Sequence, residues 1–450
     1  MRLLLICLLS LTFLNTGCGR RGPRGKADSG PKVSAVTKAV EKEAELPLVQ
    51  PGPGDWPWWR GPSRNGISVS QTAPLSWSPT ENIVWKAAVP GRGHSSPTIW
   101  GNRIFLATAD EAAKEHRLLA YDRTTGQQLW NSLCHQGGLD HAHDKNTHAS
   151  ATPACDGERV YITFLSAGAI WLTATDLEGK QVYQKRVGPF ASQHGFAASP
   201  AIWGSLVIAS GESTAGGFLC AYHRVTGDLI WSAEKPSSAS YSSPIVAELS
   251  GRPQVLLSGG NMVGSYSAIT GETLWTYQGG PSTVTSGTAA FANDRVFVSG
   301  GYPEAQTLCL PSNANGAVSS SQLLWQNKQK FYVPSLLAVD DTLYGVDDGG
   351  VAYCYDAKTG QERWKHRLGG GFSSSPILVG DKLYAINEGG TTYVFKAGPK
   401  FEQLAANELA EGGFATPACV NGQLFIRTNH DLWCIGSATS APTAETSGGQ

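Results

Sequence analysis

The sequence carries little charge and almost no excess of either sign. Lysine, arginine, aspartate and glutamate make up 16% of its 450 residues, and the formal net charge is -1. A protein that binds nucleic acid needs a basic face to displace the counterions of the phosphate backbone. The charge balance therefore predicts that nucleic acid is not a partner of this chain.

Paired cysteine motifs are also lacking. Of the nine cysteines, Cys7 and Cys18 lie near the N-terminus, and the seven others include no adjacent pair and no Cys-x-x-Cys motif. Cys220, Cys354 and Cys434 lie inside short apolar runs. The pattern favours buried thiols that pack as small apolar groups, and a disulfide framework is the alternative.

The apolar stretch at the N-terminus is too short to span a bilayer as a helix. It runs from Leu3 to Leu14 after the basic residue Arg2, as in an export signal. The following Leu14-Asn-Thr-Gly-Cys18 resembles the lipobox of bacterial lipoproteins, although Asn15 stands where those signals usually carry leucine. We predict a lipoprotein-type signal peptide over residues 1–18 and lipidation at Cys18. A secreted protein without lipid and an uncut anchor are the alternatives.

Two segments of low complexity flank the remaining chain. Residues 19–54 open with arginines and continue through Ala, Lys, Glu, Pro and Gly without a lasting apolar face, which predicts a disordered linker. Residues 437–450 are rich in Ser, Thr, Ala and Gly and are predicted to be a disordered tail. The export signal and the linker together predict a protein of the periplasm or cell envelope, held to a membrane by a lipid anchor.

A segment rich in tryptophan and proline, residues 55–82, precedes the rest of the chain. It opens with three indoles, Trp56, Trp58 and Trp59, between two prolines. Because an indole mostly buries its large apolar body, these residues predict a plug packed on one face of the domain. The alternative interpretation is an aromatic platform for a sugar or a quinone.

Glycine and tryptophan are abundant, with 53 and 14 copies, and they recur in a fixed frame. The frame Tyr-x3-Thr-Gly-x3-Trp begins at Tyr121, Tyr222, Tyr266 and Tyr355. A small-residue step, usually Ser-Pro or Thr-Pro, follows each tryptophan strand at positions 97, 153, 200, 244, 288, 334, 376 and 417. Between steps the sequence predicts four short strands joined by Gly, Asn and Asp turns.

Eight such units predict an all-β, eight-bladed β-propeller of four-stranded antiparallel blades over residues 83–436. The strand around Trp85 precedes the first complete unit, whereas the last unit stops after three strands, at Gly436. We therefore predict that the N-terminal strand pairs into the last blade and closes the ring. Indoles that recur once per unit are predicted to dock one blade on the next. These are Trp85, Trp130, Trp231, Trp275, Trp325 and Trp364.

The Tyr-x3-Thr-Gly-x3-Trp frame followed by Ser/Thr-Pro resembles the repeat of PQQ-like β-propellers, over roughly residues 56–436. Two kinds of relative bear on function. Quinoprotein dehydrogenases hold pyrroloquinoline quinone (PQQ) and calcium at the axis, whereas the BamB lipoprotein of the outer-membrane assembly machinery is a scaffold without a cofactor. The opening from Asp55 to Pro62 also resembles an exported BamB-like subgroup of planctomycete-type bacteria. This resemblance implies a propeller with either role.

A candidate ligand site is predicted where two long loops enter inner strands on one face of the ring. The insert from Cys134 to His148 is rich in histidine and aspartate, and a second histidine loop precedes the next unit. A polar loop, a metal site and a site for an organic or peptide ligand are the alternatives, and the spacing matches no closed zinc motif. The candidate residues are Arg92, His94, His143, Lys145, Asn146, His148 and His194.

The favoured function is a non-catalytic binding or assembly scaffold of the cell envelope. Its predicted partners are envelope proteins or a small ligand on the propeller face, and the chain is expected to be a monomer without a cofactor. The first alternative is a PQQ-dependent oxidoreductase with calcium, although the adjacent cysteine pair that covers the quinone in the enzymes it resembles is missing. The second is carbohydrate binding through Trp56, Trp58 and Trp59.

Overall fold

The computed structural model describes residues 46–437, and almost all regular structure in that range is β-strand. The predicted signal peptide, the lipidation site Cys18, most of the linker and residues 438–450 of the tail lie outside the described residues. One short 3-10 helix, Ser320–Gln322, interrupts the strands. Across residues 46–437 no helix has the length and apolar character needed to cross a membrane.

The strands form eight separate sheets, and in seven of them the chain runs from the inner strand to the outer strand in sequence order. The first strand, β1 (Ile83–Ala88), stands apart from this order and is described with the last sheet. Blade 1 contains β2 (Thr98–Trp100), β3 (Arg103–Asp110), β4 (Glu115–Asp122) and β5 (Gln128–Gln136), and blade 2 contains β6 (Ala154–Cys155), β7 (Arg159–Ser166), β8 (Ala169–Asp176) and β9 (Gln181–Pro189). Blade 3 contains β10 (Ala201–Trp203), β11 (Leu206–Ser213), β12 (Gly216–His223) and β13 (Leu229–Lys235). Blade 4 contains β14 (Ile245–Leu249), β15 (Arg252–Gly259), β16 (Met262–Ser267) and β17 (Thr273–Gln278).

The remaining four blades follow the same order, and every neighbouring pair of strands within a blade is antiparallel. Blade 5 contains β18 (Ala290–Ala292), β19 (Arg295–Gly300), β20 (Gln306–Pro311) and β22 (Trp325–Asn327), and blade 6 contains β23 (Leu337–Val339), β24 (Thr342–Val346), β25 (Val351–Asp356) and β26 (Glu362–Arg367). Blade 7 contains β27 (Ile377–Val379), β28 (Lys382–Ile386), β29 (Thr391–Lys396) and β30 (Gln403–Glu408). Blade 8 contains β31 (Ala418–Val420), β32 (Gln423–Arg427) and β33 (Asp431–Ile435).

Strand β1 closes the ring, as the sequence predicts. It lies antiparallel to β33 and becomes the outer strand of blade 8, with Trp85 opposite Cys434 and Ala88 opposite Asp431. The N-terminal part of the propeller therefore completes its last blade, and β33 is not left as an unpaired edge. This confirms the predicted eight-bladed, all-β architecture.

Blade 4 differs from the prediction because it contains a fifth strand. The segment between β20 and β22 folds back, and β21 (Gly316–Val318) pairs in parallel with β17, placing Gly316 opposite Trp275. This strand was not predicted, since the connection replaces the usual Thr-Gly turn of blade 5 by a longer insert. Its effect is to cover the outer edge of blade 4.

Each recurring indole reaches a backbone carbonyl of the following blade. The acceptors lie in the turn between the third and fourth strands, so the bond ties two sheets that share no ladder. Tyr183 holds the same place in blade 2 and reaches Arg224 through its hydroxyl group at 3.2 Å. The Nε1 to O distances are 2.9 Å for Trp85 to Arg123, 2.9 Å for Trp130 to Leu177, 3.2 Å for Trp231 to Ala268, 3.3 Å for Trp275 to Ser312, 2.9 Å for Trp325 to Ala357 and 2.9 Å for Trp364 to Gly398.

The glycine of the Thr-Gly turn is the surface on which the indole of the preceding blade rests. Gly271 has φ +74°, and a Cβ placed there would lie 2.5 Å from Cε3 of Trp231. Both the backbone conformation and the space therefore require glycine. We expect Gly271→Ala to lower the free energy of unfolding by about 2 kcal/mol, combining backbone strain with displacement of the indole.

Gly251 provides the matched control for this prediction. It lies in the same blade with φ +68°, but no heavy atom lies within 4 Å of an added Cβ. Gly251→Ala thus reports the backbone strain alone. Urea unfolding of both variants measures the difference, and equal losses would show that the contact with Trp231 contributes nothing.

The segment from Asp55 to Ser68, here called the axial plug, crosses the ring and bonds to inner strands. Trp56 and Trp58 are buried in it. The bonds involve seven blades, and each partner lies in or next to the innermost strand. The partners are Ile99 for Trp56, Cys155 for Pro57, Ile202 for Arg64, Phe291 and Ala338 for Asn65, and Leu378 and Cys419 for Ser68.

Candidate functional site

Eight hydroxyl groups form a ring around the propeller axis, one at the start of each inner strand. We call this set the hydroxyl belt. Seven of its members accept a backbone N–H bond from the belt residue of the preceding blade, at 2.9 to 3.0 Å. The belt consists of Ser96, Thr152, Ser199, Ser243, Thr288, Ser335, Ser375 and Thr416.

The belt explains why a small hydroxyl residue recurs at the small-residue step. Neighbouring blades are not joined by a strand ladder, so the N–H groups that face the axis need another acceptor. A short Ser or Thr side chain provides one and leaves room at the crowded centre. The exception is Thr288, whose Oγ1 accepts from Nε1 of Trp59 at 3.0 Å instead.

The belt and the axial plug lie at different heights along the axis. Each plug partner on an inner strand stands three residues beyond a belt residue, as Ile99 does beyond Ser96 and Cys419 beyond Thr416. Three residues of strand span about 10 Å. The plug therefore closes one end of the central channel, and Trp59, which reaches the belt, forms the floor of the space above it.

That space is a pocket of about 300 Å³ on the axis. All eight belt residues line it, together with Trp59 and side chains from the loops that enter the inner strands. The volume is at the lower end of the range for small-molecule sites. The loop residues that define its rim are His94, His143, Lys145, Asn146, Ser150, His194, Tyr241, Tyr332, Ser373 and Phe414.

Five of the seven predicted site residues line this pocket: His94, His143, Lys145, Asn146 and His194. The other two, Arg92 and His148, lie beside it and hold the long insert in place. Arg92 donates to the Asp144 carbonyl at 3.1 Å, and Nδ1 of His148 lies 3.1 Å from Oε1 of Glu111. The structure thus separates a pocket wall from a supporting layer that the sequence did not distinguish.

His94 is a half-buried side chain in the pocket wall. Its ring stacks on Phe414 with centroids 4.4 Å apart. Burial, with Arg427 and Arg92 as further contributions, lowers the pKa of His94 to about 3. A histidine with so low a pKa stays uncharged at physiological pH, so its role is to pack and to shape the wall.

This pKa predicts a measurable dependence of stability on pH. An unfolded histidine takes up a proton near pH 6.5, whereas the folded His94 does not until about pH 3. The neutral His94 side chain therefore contributes its full stabilisation above about pH 6.5. This contribution is lost as the pH falls from about 6.5 towards 3, by up to about 1.4 kcal/mol per pH unit. We expect His94→Phe to reduce the slope of the free energy of unfolding against pH, measured by urea unfolding between about pH 6 and pH 4. The reduction should correspond to the uptake of close to one proton fewer on unfolding. An unchanged slope in His94→Phe would contradict the neutral state.

The neighbouring part of the wall joins two histidines to a tyrosine. His143 and His194 stack with centroids 5.5 Å apart, and Nδ1 of His194 lies 3.0 Å from the Tyr241 hydroxyl. Burial first, and then His143 and His141, lowers the pKa of His194. Asn146 fixes the arrangement, since its Nδ2 donates to the His194 carbonyl at 2.6 Å. The two loops predicted to meet at the axis are thereby bonded to each other.

Lys145 reaches across the mouth of the pocket. Its Nζ lies 2.9 and 3.1 Å from the two carboxylate oxygens of Glu388 in blade 7. Glu388 also accepts a bond from Ser373. Because the Lys145 side chain is largely exposed, this pair adds little to stability, but it places one cation at the entrance.

A protein-family model described as outer membrane protein assembly factor BamB matches residues 69–247, 114–366 and 316–399. Together these matches span well over half of the sequence. The chain belongs to this family of PQQ-like β-propellers.

Solved structures share the BamB-family fold at low sequence identity. BamB from Moraxella catarrhalis aligns with a TM-score of 0.56 and 14% identity, over 80% of this chain and 98% of its own. Quinohemoprotein alcohol dehydrogenase from Comamonas testosteroni aligns with a TM-score of 0.64 and 12% identity, over 87% of this chain and 82% of its own. A curated relative, tetrathionate hydrolase from Acidithiobacillus ferrooxidans, is 23% identical over 338 residues, or 67% of this chain. The matched region spans 64% of that relative.

The donor set of this BamB-family pocket bears on whether it could hold PQQ and calcium. Calcium takes six to eight oxygen ligands, mostly from carboxylates and carbonyls. The side chains that line the pocket include no aspartate or glutamate, and Glu388 at the rim is already engaged by Lys145 and Ser373. Within residues 46–437 no three His, Cys, Asp or Glu side chains come together as metal ligands would. The residues present therefore do not fit a calcium–quinone centre.

Several pocket residues were not predicted from the sequence. Tyr241, Tyr332 and Phe414 lie on loops with no motif that sets them apart. The belt hydroxyls were noted as small residues, but their common hydroxyl group was not used as a signal. It could have been, because all eight units carry Ser or Thr at this place. The three indoles of the axial plug also differ in position: of Trp56, Trp58 and Trp59, only Trp59 lines the pocket.

Proposed function

We propose that this protein is a non-catalytic binding scaffold of the cell envelope, with a small-ligand site at its axial pocket and a surface for a protein partner on its outer strands. The observation that carries the proposal is the make-up of the pocket wall. It offers hydroxyls, imidazoles and aromatic rings, which bind, but no carboxylate to act as a base beside a quinone. Membership of the BamB family supports the scaffold role.

The outer strands supply surfaces for a protein partner. Large apolar side chains are exposed on the outer strands of three consecutive blades, at Leu129, Leu133, Val182 and Leu229. We propose that these side chains together form the contact surface for the partner. Blade 4 is different, since β21 already covers its outer edge.

Purification from native membranes tests this proposal. We expect an enriched envelope protein, no quinone absorbance and no stoichiometric calcium in the same sample. Leu129→Arg/Val182→Arg should release the partner, whereas Ile269→Arg, at an exposed apolar residue in blade 4, should retain it. A bound quinone, or turnover of an alcohol or of tetrathionate by the purified protein, would contradict the non-catalytic role.

The envelope location rests on the predicted anchor at Cys18 and has its own test. Mass spectrometry of the membrane-purified protein should show a lipid-modified N-terminal cysteine. Cys18→Ser should abolish the modification and release the protein from the membrane. A lipid that persists in this variant would overturn the proposed anchor.

A carbohydrate role is a weaker candidate because the three indoles do not form one platform. Trp56 and Trp58 are covered by the propeller, and only Trp59 remains to contact a sugar. If Trp59→Ala lost glycan binding that the wild type shows, this candidate would replace the scaffold.

A further inference from the structure

Within residues 46–437 the hydrogen atoms of the belt hydroxyls have no acceptor. Each belt oxygen accepts one bond, from a backbone N–H or from Trp59, and within residues 46–437 none of the eight donates one. All eight side chains are at most 6% exposed and all line the pocket. A buried hydroxyl that accepts from an N–H is polarised as a donor, and leaving it unpaired is costly. The belt therefore presents up to eight donors to whatever lies on the axis.

Two buried guanidinium groups near the belt also lack a counterion among residues 46–437. Arg60 and Arg427 are each 1% exposed, and neither contacts a carboxylate in the described part of the chain. Arg60 donates to the carbonyl of Leu336, which follows belt residue Ser335. Arg427 donates to Oγ of Ser95, which precedes belt residue Ser96.

Both guanidinium groups retain N–H donors without a partner. These are Nε and Nη1 of Arg60 and Nε and Nη2 of Arg427. Buried charges are normally paired, because removing a cation from water costs several kcal/mol. Burial lowers the pKa of Arg60 to about 9 and of Arg427 to about 10, which reflects that cost. Neither arginine lines the pocket, but both lie beside the belt, where no carboxylate within residues 46–437 pairs with their positive charge.

We propose that the axial pocket binds an oxyanion, held by the hydroxyl belt above Trp59. An oxyanion is acceptor-only at each oxygen, so it satisfies convergent O–H donors that a sugar, with its own hydroxyl hydrogens, would satisfy only in part. Its charge balances the field of the two buried guanidinium groups. The aromatic rim leaves space for a small organic group on the anion.

This inference rests on the proposed binding role of the pocket and specifies its ligand class. It is tested by calorimetric titration of the whole protein with sulfate, phosphate and methanesulfonate at constant ionic strength. Sodium chloride and dimethyl sulfone, the neutral analogue of methanesulfonate, are the controls. We expect saturable one-to-one binding of oxyanions and none of dimethyl sulfone.

Belt variants locate the binding site. Thr152→Val and Thr416→Val remove a hydroxyl while keeping the side-chain shape, and each should weaken oxyanion binding by about tenfold. Thr152→Ser and Thr416→Ser restore the hydroxyl and should restore affinity. Ser373→Ala is the control in the same pocket, because its hydroxyl already donates to Glu388, and it should bind nearly as the wild type does.

Three results would overturn the inference. They are the absence of oxyanion binding to the folded wild type, equal binding of dimethyl sulfone, and belt variants that bind as tightly as Ser373→Ala. If the valine variants fail to fold, the wild-type comparison of methanesulfonate with dimethyl sulfone still decides. If the protein bound no oxyanion but still retained its native partner, the proposal of oxyanion binding would fail. The scaffold proposal would not be affected by that result.

Discussion

Replacing Trp275 with alanine is expected to lower the free energy of unfolding by about 4 kcal/mol. This indole is fully buried between blades 4 and 5, and its Nε1 donates to the Ser312 carbonyl. The variant would lose both the apolar contact and the indole hydrogen bond. Arg252 and Gln254 also donate to the Ser312 carbonyl, and β21 pairs with β17 here, so the expected loss comes mainly from the cavity that the ring leaves.

Two further variants separate the contributions at Trp275. Trp275→Phe keeps most of the apolar area and should lose only about 1 kcal/mol, for the missing hydrogen bond and smaller ring. Leu229→Ala alters an outer-strand side chain that is 52% exposed and should leave the urea transition nearly unchanged. If Trp275→Ala unfolded at the same urea concentration as Leu229→Ala, the indoles would not be what holds the blades together.

Asp156→Ala is expected to cost about 3–5 kcal/mol at the contact between blades 2 and 3. Asp156 is buried and accepts bonds from Arg224 and from the hydroxyl of Tyr161. Removing it strands the Arg224 guanidinium in a site where little water can reach it. The Asp156–Arg224 pair lies at the contact between blades where Tyr183 replaces the indole. The pair therefore strengthens a contact that has a smaller aromatic ring than the others.

A double-mutant cycle tests the origin of that loss. Arg224→Met removes the cation, so Asp156→Ala/Arg224→Met should be more stable than Asp156→Ala alone. Glu178→Ala breaks the exposed pair with Arg103 and should shift the unfolding transition far less. Strict additivity of the two single losses would show that no ion pair couples the blades here.

The repeat made the fold predictable. The frame that begins at Tyr121 recurs closely enough to count the blades, and the unmatched strand around Trp85 required a partner at the other end of the chain. Strand β21 was not predictable in the same way, because its insert departs from the repeat. The structure of a segment that interrupts the repeat cannot be predicted from the repeat.

The site was predictable only in part. Equivalent loops in a ring converge on the axis, which brought His94, Lys145 and His194 to one pocket. Whether a loop side chain points inward or sideways depends on local bonds such as that between His148 and Glu111, which no periodic pattern encodes. Trp59 reaches the pocket floor only because the plug crosses the channel, and that path follows from tertiary contacts alone.

Anomalous diffraction from crystals soaked in selenate would test most directly the central claim that the axial pocket binds an oxyanion. Selenate is an oxyanion whose selenium atom marks its own position. We predict an anomalous peak on the propeller axis, above Trp59 and within hydrogen-bond reach of belt hydroxyls such as Thr152 and Thr416. An axis without selenium, with peaks only on the outer surface, would contradict it.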